Sequence, residues 1–377
     1  MASLTPALPW QSRNTRSVNG VVDVVPTPDS SVSANDVQAA DAAGSRGTAG
    51  GTNPVADSYG GTQPTSRKAS DTTAGILFGI GAYGLWGLLP LYFLSLQPAG
   101  AVEIVANRVV FSLVFCALLI TITRAWTTLW NALRSRSVFV SLAIAAALIA
   151  VNWLTYTYAV TTGQAVEAAL GYFINPLVSV LLGVFVLKES LRPLQWAAVG
   201  IGVAAVGVLT VSYGKLPWIA LTLAISFGLY GFVKKRVGPK ADAVTSLTVE
   251  TIVLAPFAGA VMVLLAVSGA ATLATQGPGH FWLMAASGII TAVPLLFFGA
   301  SARRLPLTTI GLLQYFAPVL QFVVAVTVMH EIMPLDRWIG FGIVWLALAV
   351  LTVDMLAAAR KNSRTRRAAL RAGTRAA

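Results

Sequence analysis

The chain has 377 residues, 56% of them hydrophobic and only 11% charged, with a mean hydropathy of +0.74. Soluble domains carry roughly 25% charged residues, so this composition argues against a soluble globule. The net charge of +12 does not mark a nucleic-acid binder, because the bases lie in short segments beside apolar runs and in the C-terminal tail, not on one compact face.

Residues 1–73 are rich in Ser, Thr, Gly, Ala, Pro and Asp and hold six of the 14 acids. They have no apolar periodicity and read as a disordered tail. No apolar core of about 7 to 15 residues precedes a cleavage site, so they do not read as a signal peptide. From residue 74 onward, apolar runs of roughly 18 to 25 residues recur, each long enough to cross a bilayer as a helix. Ten are expected, over 74–96, 101–123, 138–159, 165–187, 193–213, 216–233, 243–267, 280–300, 306–329 and 334–356. An even number puts both termini on one side. A cytoplasmic N-terminus leaves 23 Lys and Arg inside against two outside, Lys215 and Arg337, as expected from the excess of basic residues in cytoplasmic loops. The single cysteine, Cys116, lies within a span and allows neither an intrachain disulfide nor a Cys-based zinc cluster.

The sequence also repeats. Y-G-L-W-G at 83–87 returns as F-G-L-Y-G at 227–231, and a shift of 142 brings together Pro176 with Pro318, Glu189 with Glu331, Trp196 with Trp338 and Gly200 with Gly342. Each half holds five helices. Five is odd, so the second half is expected to run through the membrane inverted, the arrangement of alternating-access transporters. The expected fold is an all-α integral membrane protein of ten transmembrane helices in two inverted five-helix repeats.

The segments L-W-G-L-L-P-L-Y (85–92), N-W-L-T-Y (152–156), E-A-A-L-G-Y-F-I-N-P-L-V-S-V-L-L-G-V-F-V-L-K-E-S-L (167–191) and F-G-L-Y-G-F-V-K-K (227–235) closely resemble the RarD-type permeases of the EamA family, in the drug/metabolite transporter superfamily. The resemblance covers residues 74–356. It implies a ten-helix permease of the bacterial inner membrane, linked to chloramphenicol sensitivity, with EamA-type repeats over 74–213 and 214–357; the basic residues after 359 make 358–377 a cytoplasmic tail. The N-terminal tail is not part of the family pattern.

An ionisable group at the bilayer centre costs about 2.5–3.5 kcal/mol on insertion scales, so those inside spans are candidate functional residues. Arg108 and Glu250 coincide under the shift of 142 and are expected to form an ion pair between the repeats. Glu167, beside G-Y-F-I-N-P, is either a proton or substrate site or a solvated helix end. Glu103 and Asp354 read as solvated helix ends. Asn152 and Tyr156 share one helix face, as do Tyr172 and Asn175. Pro176 removes the donor for the Tyr172 carbonyl, so a kink that exposes carbonyls is expected there, repeated at Gln314, Tyr315 and Pro318. Trp86 and Tyr230, equivalent in the repeated phrase, are either aromatic cavity walls or packing residues. Trp126 and Trp130 suit an interfacial belt.

G-I-G-A-Y-G at 79–84 matches the dinucleotide-binding pattern, but it lies within a span with no strand before it. The two histidines, His280 and His330, are too few for a usual metal cluster. No cofactor, metal, nucleic acid or enzymatic activity is expected. The expected partners are a small-molecule solute and membrane lipid, with a homodimer left open. The expected function is alternating-access transport of a small organic solute, with a proton as coupling ion carried by Glu167 or Glu250. An intramembrane lipid-handling protein or a membrane sensor is the alternative.

Overall fold

The computed structural model describes residues 65–188, 190–237 and 240–373. The expected tail falls outside the described residues up to position 64, as does Glu189. The regular elements are all helices: α1 (Thr65–Gly87), α2 (Leu89–Ser95), α3 (Ala101–Thr123), α4 (Trp126–Arg134), α5 (Arg136–Thr161), α6 (Ala165–Leu187) and α7 (Pro193–Tyr213). The second half contains α8 (Trp218–Val237), α9 (Ala243–Val267), α10 (Gly277–Ala302), α11 (Leu307–Leu313), α12 (Phe316–Thr327) and α13 (Leu335–Gly373).

Nine helical segments of the described residues are long and apolar enough to cross a membrane, with α1 and α2 forming one of them. The expected sixth crossing is present as the helix α8, but its last turn carries Lys234, Lys235 and Arg236 and it is not among the nine. The short α4 buries Leu129 and Ala132 and exposes Trp126 and Trp130, with Arg134 over the Trp130 ring at 4.8 Å.

Exposed side chains along the long helices are apolar, among them Val114, Phe185, Val211 and Phe257. The buried set includes Glu103, Arg108, Asn152, Glu167, Glu250 and Asp354. An apolar exterior around a largely apolar core that also holds ionisable side chains suits a bundle solvated by lipid. The main helix pairs are α1 with α10 and α12, α3 with α9 and α10, α5 with α8 and α9, α6 with α8 and α12, and α7 with α13.

Prolines break two of the crossings. Pro90 follows the interruption between α1 and α2. Its missing N–H leaves the Trp86 carbonyl without its helical donor, and Gln321 Nε2 donates to that carbonyl instead at 3.1 Å. Pro318 lies just beyond the interruption at Gln314 and Tyr315, between α11 and α12. The matching kink expected at Pro176 is not an interruption, since α6 runs unbroken through it. Close contacts on both sides of Pro176 hold α6 to α8. A Cβ at Gly171 would lie 2.7 Å from the Ala220 carbonyl oxygen, and one at Gly228 would lie 2.9 Å from Val178 Cγ1.

Candidate functional site

Arg108 projects from α3 and is only 5% exposed. Its Nε donates to Thr291 Oγ1 on α10 at 2.8 Å, while the Thr291 hydroxyl donates to the Ser287 carbonyl at 2.7 Å, so its oxygen presents a lone pair to the guanidinium. Trp153 of α5 stacks beside the cation, with its ring centroid 4.1 Å from Cζ, and Phe93 of α2 lies at 6.0 Å. Such contacts replace part of the lost hydration.

The expected Arg108–Glu250 ion pair does not form. Glu250 bonds Lys234 Nζ at 2.7 Å and accepts from the Tyr230 hydroxyl at 3.3 Å. The reason is depth. Glu103 at the start of α3 binds Thr272, just past the end of α9, so these helices run antiparallel. Ala106 and Val109 pack on Ala258, and Cys116 on Leu247. Arg108 therefore stands about 10 Å from the level of Glu250 at 1.5 Å per residue. Each lies seven positions past the first residue of its helix, and because the two helices run antiparallel both are too far from the midpoint to meet.

A column of rings joins the two levels. Phe93 meets Tyr156 at 5.9 Å, Tyr156 meets Tyr172 at 5.6 Å, Tyr172 meets Phe227 at 5.8 Å and Phe227 meets Tyr230 at 6.0 Å. These edge-to-face and tilted contacts are the favoured aromatic geometries. The Tyr172 hydroxyl donates to Asn152 Oδ1 at 3.0 Å, and Asn152 Nδ2 donates to the Leu223 carbonyl and to Ser226 Oγ on α8. The Tyr156 hydroxyl has no hydrogen-bond partner among the described residues. Arg108, Asn152, Tyr156, Tyr172, Tyr230 and Glu250 are thus brought to one column. The residues that the sequence reading passed over are Phe93, Trp153, Phe227, Lys234 and Thr291.

Residues 73–213 match the EamA-like transporter family. The chain is 47% identical over 296 residues to Protein RarD of Streptomyces exfoliatus, a match covering 78% of this chain and 93% of that protein. It is 38% identical over 296 residues to Protein RarD of Escherichia coli K12, covering 78% and 99%. The chain belongs to the RarD group of the EamA-like transporter family. It is therefore a multi-pass membrane transporter. The chloramphenicol-sensitive protein RarD of Pseudomonas aeruginosa is 31% identical over 297 residues, covering 77% of this chain and 97% of that protein. A protein crystal structure shares the fold with a TM-score of 0.52 at 19% identity, covering 76% of this chain and 98% of that one.

The remaining candidates of this RarD-type transporter lie away from the column. Trp86 packs on Tyr83 and Phe298 at 5.5 and 6.1 Å. Asn175 Oδ1 is buried without a partner among the described residues, near Gly228. Gln314 and Tyr315 are half-buried at the break before α12. Glu167 is buried and accepts from the Ile219 N–H at 3.0 Å, in the first turn of α8. Glu103 and Asp354, expected at solvated ends, are both 4% exposed. Glu103 accepts from the Thr272 and Leu273 N–H groups at 2.6 and 3.0 Å, and Asp354 pairs with Arg192 at 2.7 Å. Their partners come from distant segments, which burial requires and a helix-end reading does not supply. Glu331, in the loop before α13, accepts from the Ala165 and Val166 N–H groups at 2.6 and 2.9 Å, the first turn of α6. These amides are orphan donors at the positive end of a helix. Desolvation nevertheless pushes the Glu331 carboxyl above its ordinary value, against the lowering effect of those amides and Arg337. Among the described residues no three His, Cys, Asp or Glu side chains are grouped to hold a metal.

Proposed function

We propose that this transporter is a secondary-active permease that moves a small organic solute, drug or metabolite, by alternating access between inverted repeats over 74–213 and 214–357. The observation that carries the reading is the exchange symmetry of the helix contacts. Swapping the halves takes α1–α10 into α8–α5, α3–α10 into α9–α5 and α6–α8 into α12–α1, and returns α3–α9, α6–α12 and α7–α13 to themselves. Lys188 and His330, 142 positions apart, both adopt left-handed backbone, with φ of 55° and 54°. Both facts support a pseudo-twofold axis in the membrane plane, with the site between the repeats.

On this reading α8 is the sixth of ten crossings, both termini are cytoplasmic, and the 23-to-2 distribution of bases supports that orientation in the cell membrane. Arg108 then faces the outer half of the column and Glu250 the inner half. Each carboxylate contact at the outer end joins one repeat to the other: Glu103 to Thr272, Glu167 to Ile219, Glu331 to Ala165 and Asp336 to Ser212. Arg192 with Asp354 does the same at the inner end. Alternating access would release one set while the other holds. Glu250, buried beside Lys234 and Tyr230, is the proposed proton carrier. The substrate-binding residues are proposed from the column: Arg108, Asn152, Tyr156, Tyr172, Tyr230 and Glu250. Trp86, Asn175, Gln314 and Tyr315 line the neighbouring breaks and close approaches, and Glu167 acts at the outer contacts.

The test is reconstitution in vesicles holding a pH-sensitive dye, with solute gradients from a library that includes chloramphenicol, suggested by the name of the Pseudomonas relative. Solute-dependent proton flux that is lost in Glu250→Gln supports the reading. Tracer movement without proton flux removes the proton, and absence of both for folded protein removes the permease.

A further inference from the structure

We propose that the solute is an organic anion whose acidic group binds the Arg108 guanidinium and whose apolar body lies along Phe93, Tyr156 and Tyr172. This rests on the permease reading above and names its substrate class.

The inference starts from an imbalance of charge. Among the described residues the buried carboxylates are each engaged elsewhere: Glu250 by Lys234, Asp354 by Arg192, and Glu103 and Glu167 by backbone amides. Arg108 has no such counter-charge, and no described carboxylate forms an ion pair with it. A guanidinium carries five N–H donors, and the hydrogen bond to Thr291 uses only the one on Nε. The edge formed by the two terminal nitrogens is the part that matches a carboxylate, phosphate or sulfonate fork. Trp153 and Phe93 flank the cation and favour approach along that edge. One hydroxyl donor beside Phe93, that of Tyr156 on α5, has no partner among the described residues. An oxyanion would give the guanidinium and this hydroxyl an acceptor, whereas a neutral solute would leave the cation uncompensated.

The structure also explains why the anion belongs at this level and not at Glu250. The inversion-equivalent position already holds a neutralised pair, so an anion entering there would meet a carboxylate. An acid bound at Arg108 therefore has its charge fixed at one end and rings running toward the other, as an aromatic or branched aliphatic body requires.

The experiment uses the full chain with matched solutes that differ in charge: phenylacetate and phenylacetamide, indole-3-acetate and indole-3-acetamide, benzyl phosphate and benzyl alcohol. Thermal shift of purified protein reports binding, and counterflow in phosphatidylcholine vesicles reports transport. The acids should stabilise and exchange, their neutral partners should not, and Arg108→Gln should weaken acid binding at least about tenfold, the loss expected for a charge-assisted hydrogen bond. Arg108→Lys, which keeps the charge and loses the fork, should fall between the two. The comparison of acid with amide on wild type needs no variant to fold. Neutral solutes that exchange as well as acids would overturn the inference and leave the permease standing, as would acid binding unchanged in folded Arg108→Gln. Counterflow absent for every solute with folded wild type would remove the permease reading and this proposal together. Stabilisation by phosphatidylglycerol through Arg108, with all the acids inert, would assign the anion to lipid and overturn the proposal.

Discussion

Gln321 on α12 supplies the Trp86 carbonyl on α1 with the hydrogen bond that Pro90 withholds, at 3.1 Å. The interruption between α1 and α2 is thus held by α12. Gln321→Leu should cost about 1 kcal/mol, the low end for an acceptor left unmade, since the bond is only part-buried. Thermal unfolding in detergent measures it. On a Pro90→Ala background the helical N–H returns, so the same substitution should cost less. Equal costs on both backgrounds would sink the account.

Lys234 and Glu250 pair at 2.7 Å with the carboxylate side chain 2% exposed and the lysine 23%. Removing one partner from a fully buried pair costs about 3–5 kcal/mol, whereas replacing both can be neutral. Because Lys234 is a quarter exposed, Lys234→Met should cost less than that range, about 2 kcal/mol. The double variant Lys234→Met with Glu250→Gln should recover most of the loss. A double-mutant cycle on unfolding temperature decides, and strictly additive effects would show that the pair is not coupled.

The long helices were legible because runs of about 20 apolar residues leave few other options. Arg108 and Glu250 stood out as charges in such runs, yet their partners did not. A repeat offset identifies equivalent positions, and in an inverted pair equivalence means opposite depth, so the offset argues for contact only near the midpoint. Lys234 read as part of a cytoplasmic K-K-R cluster, but α8 stays helical through Val237 and a four-carbon stem reaches back along it to Glu250. Trp153 and Thr291 resemble ordinary packing residues until the guanidinium lies between them. Glu103 and Asp354 looked like helix ends because their partners, Thr272 and Arg192, are more than 150 residues away in the chain and meet them only in the folded bundle.

Gly171 opens the G-Y-F-I-N-P segment, and a Cβ there would meet the Ala220 carbonyl oxygen at 2.7 Å. Relieving that clash requires α6 and α8 to separate, so Gly171→Ala should destabilise by about 1–3 kcal/mol despite its better helix propensity. Gly200 on α7 has nothing within 4 Å of the same added atom. Gly200→Ala should therefore stabilise by up to about 1 kcal/mol, the propensity difference alone. The two unfolding temperatures should move in opposite directions, and a common direction would mean that close approach is not why Gly171 is glycine.

Glu331 offers a pH-dependent test at the contact between its loop and the first turn of α6. Desolvation raises its carboxyl from the ordinary 4.5, opposed by the Val166 and Ala165 amides and Arg337 and reinforced by Glu167. The docked loop then binds protons more tightly than the unfolded chain does. Linkage sets the sign: this contribution is fully present below the ordinary value and is lost as pH rises through the raised one. Glu331→Gln cannot titrate and carries no charge for Arg337 or Glu167 to act on, so the stability of wild type relative to this variant should fall as pH increases from 4.5 upward. Unfolding temperatures of the pair across pH 4 to 8 report the difference. A wild-type advantage that grows with pH would mean that the amide bonds, not desolvation, dominate the carboxylate, and would reverse the predicted response of this end of the transporter to acid.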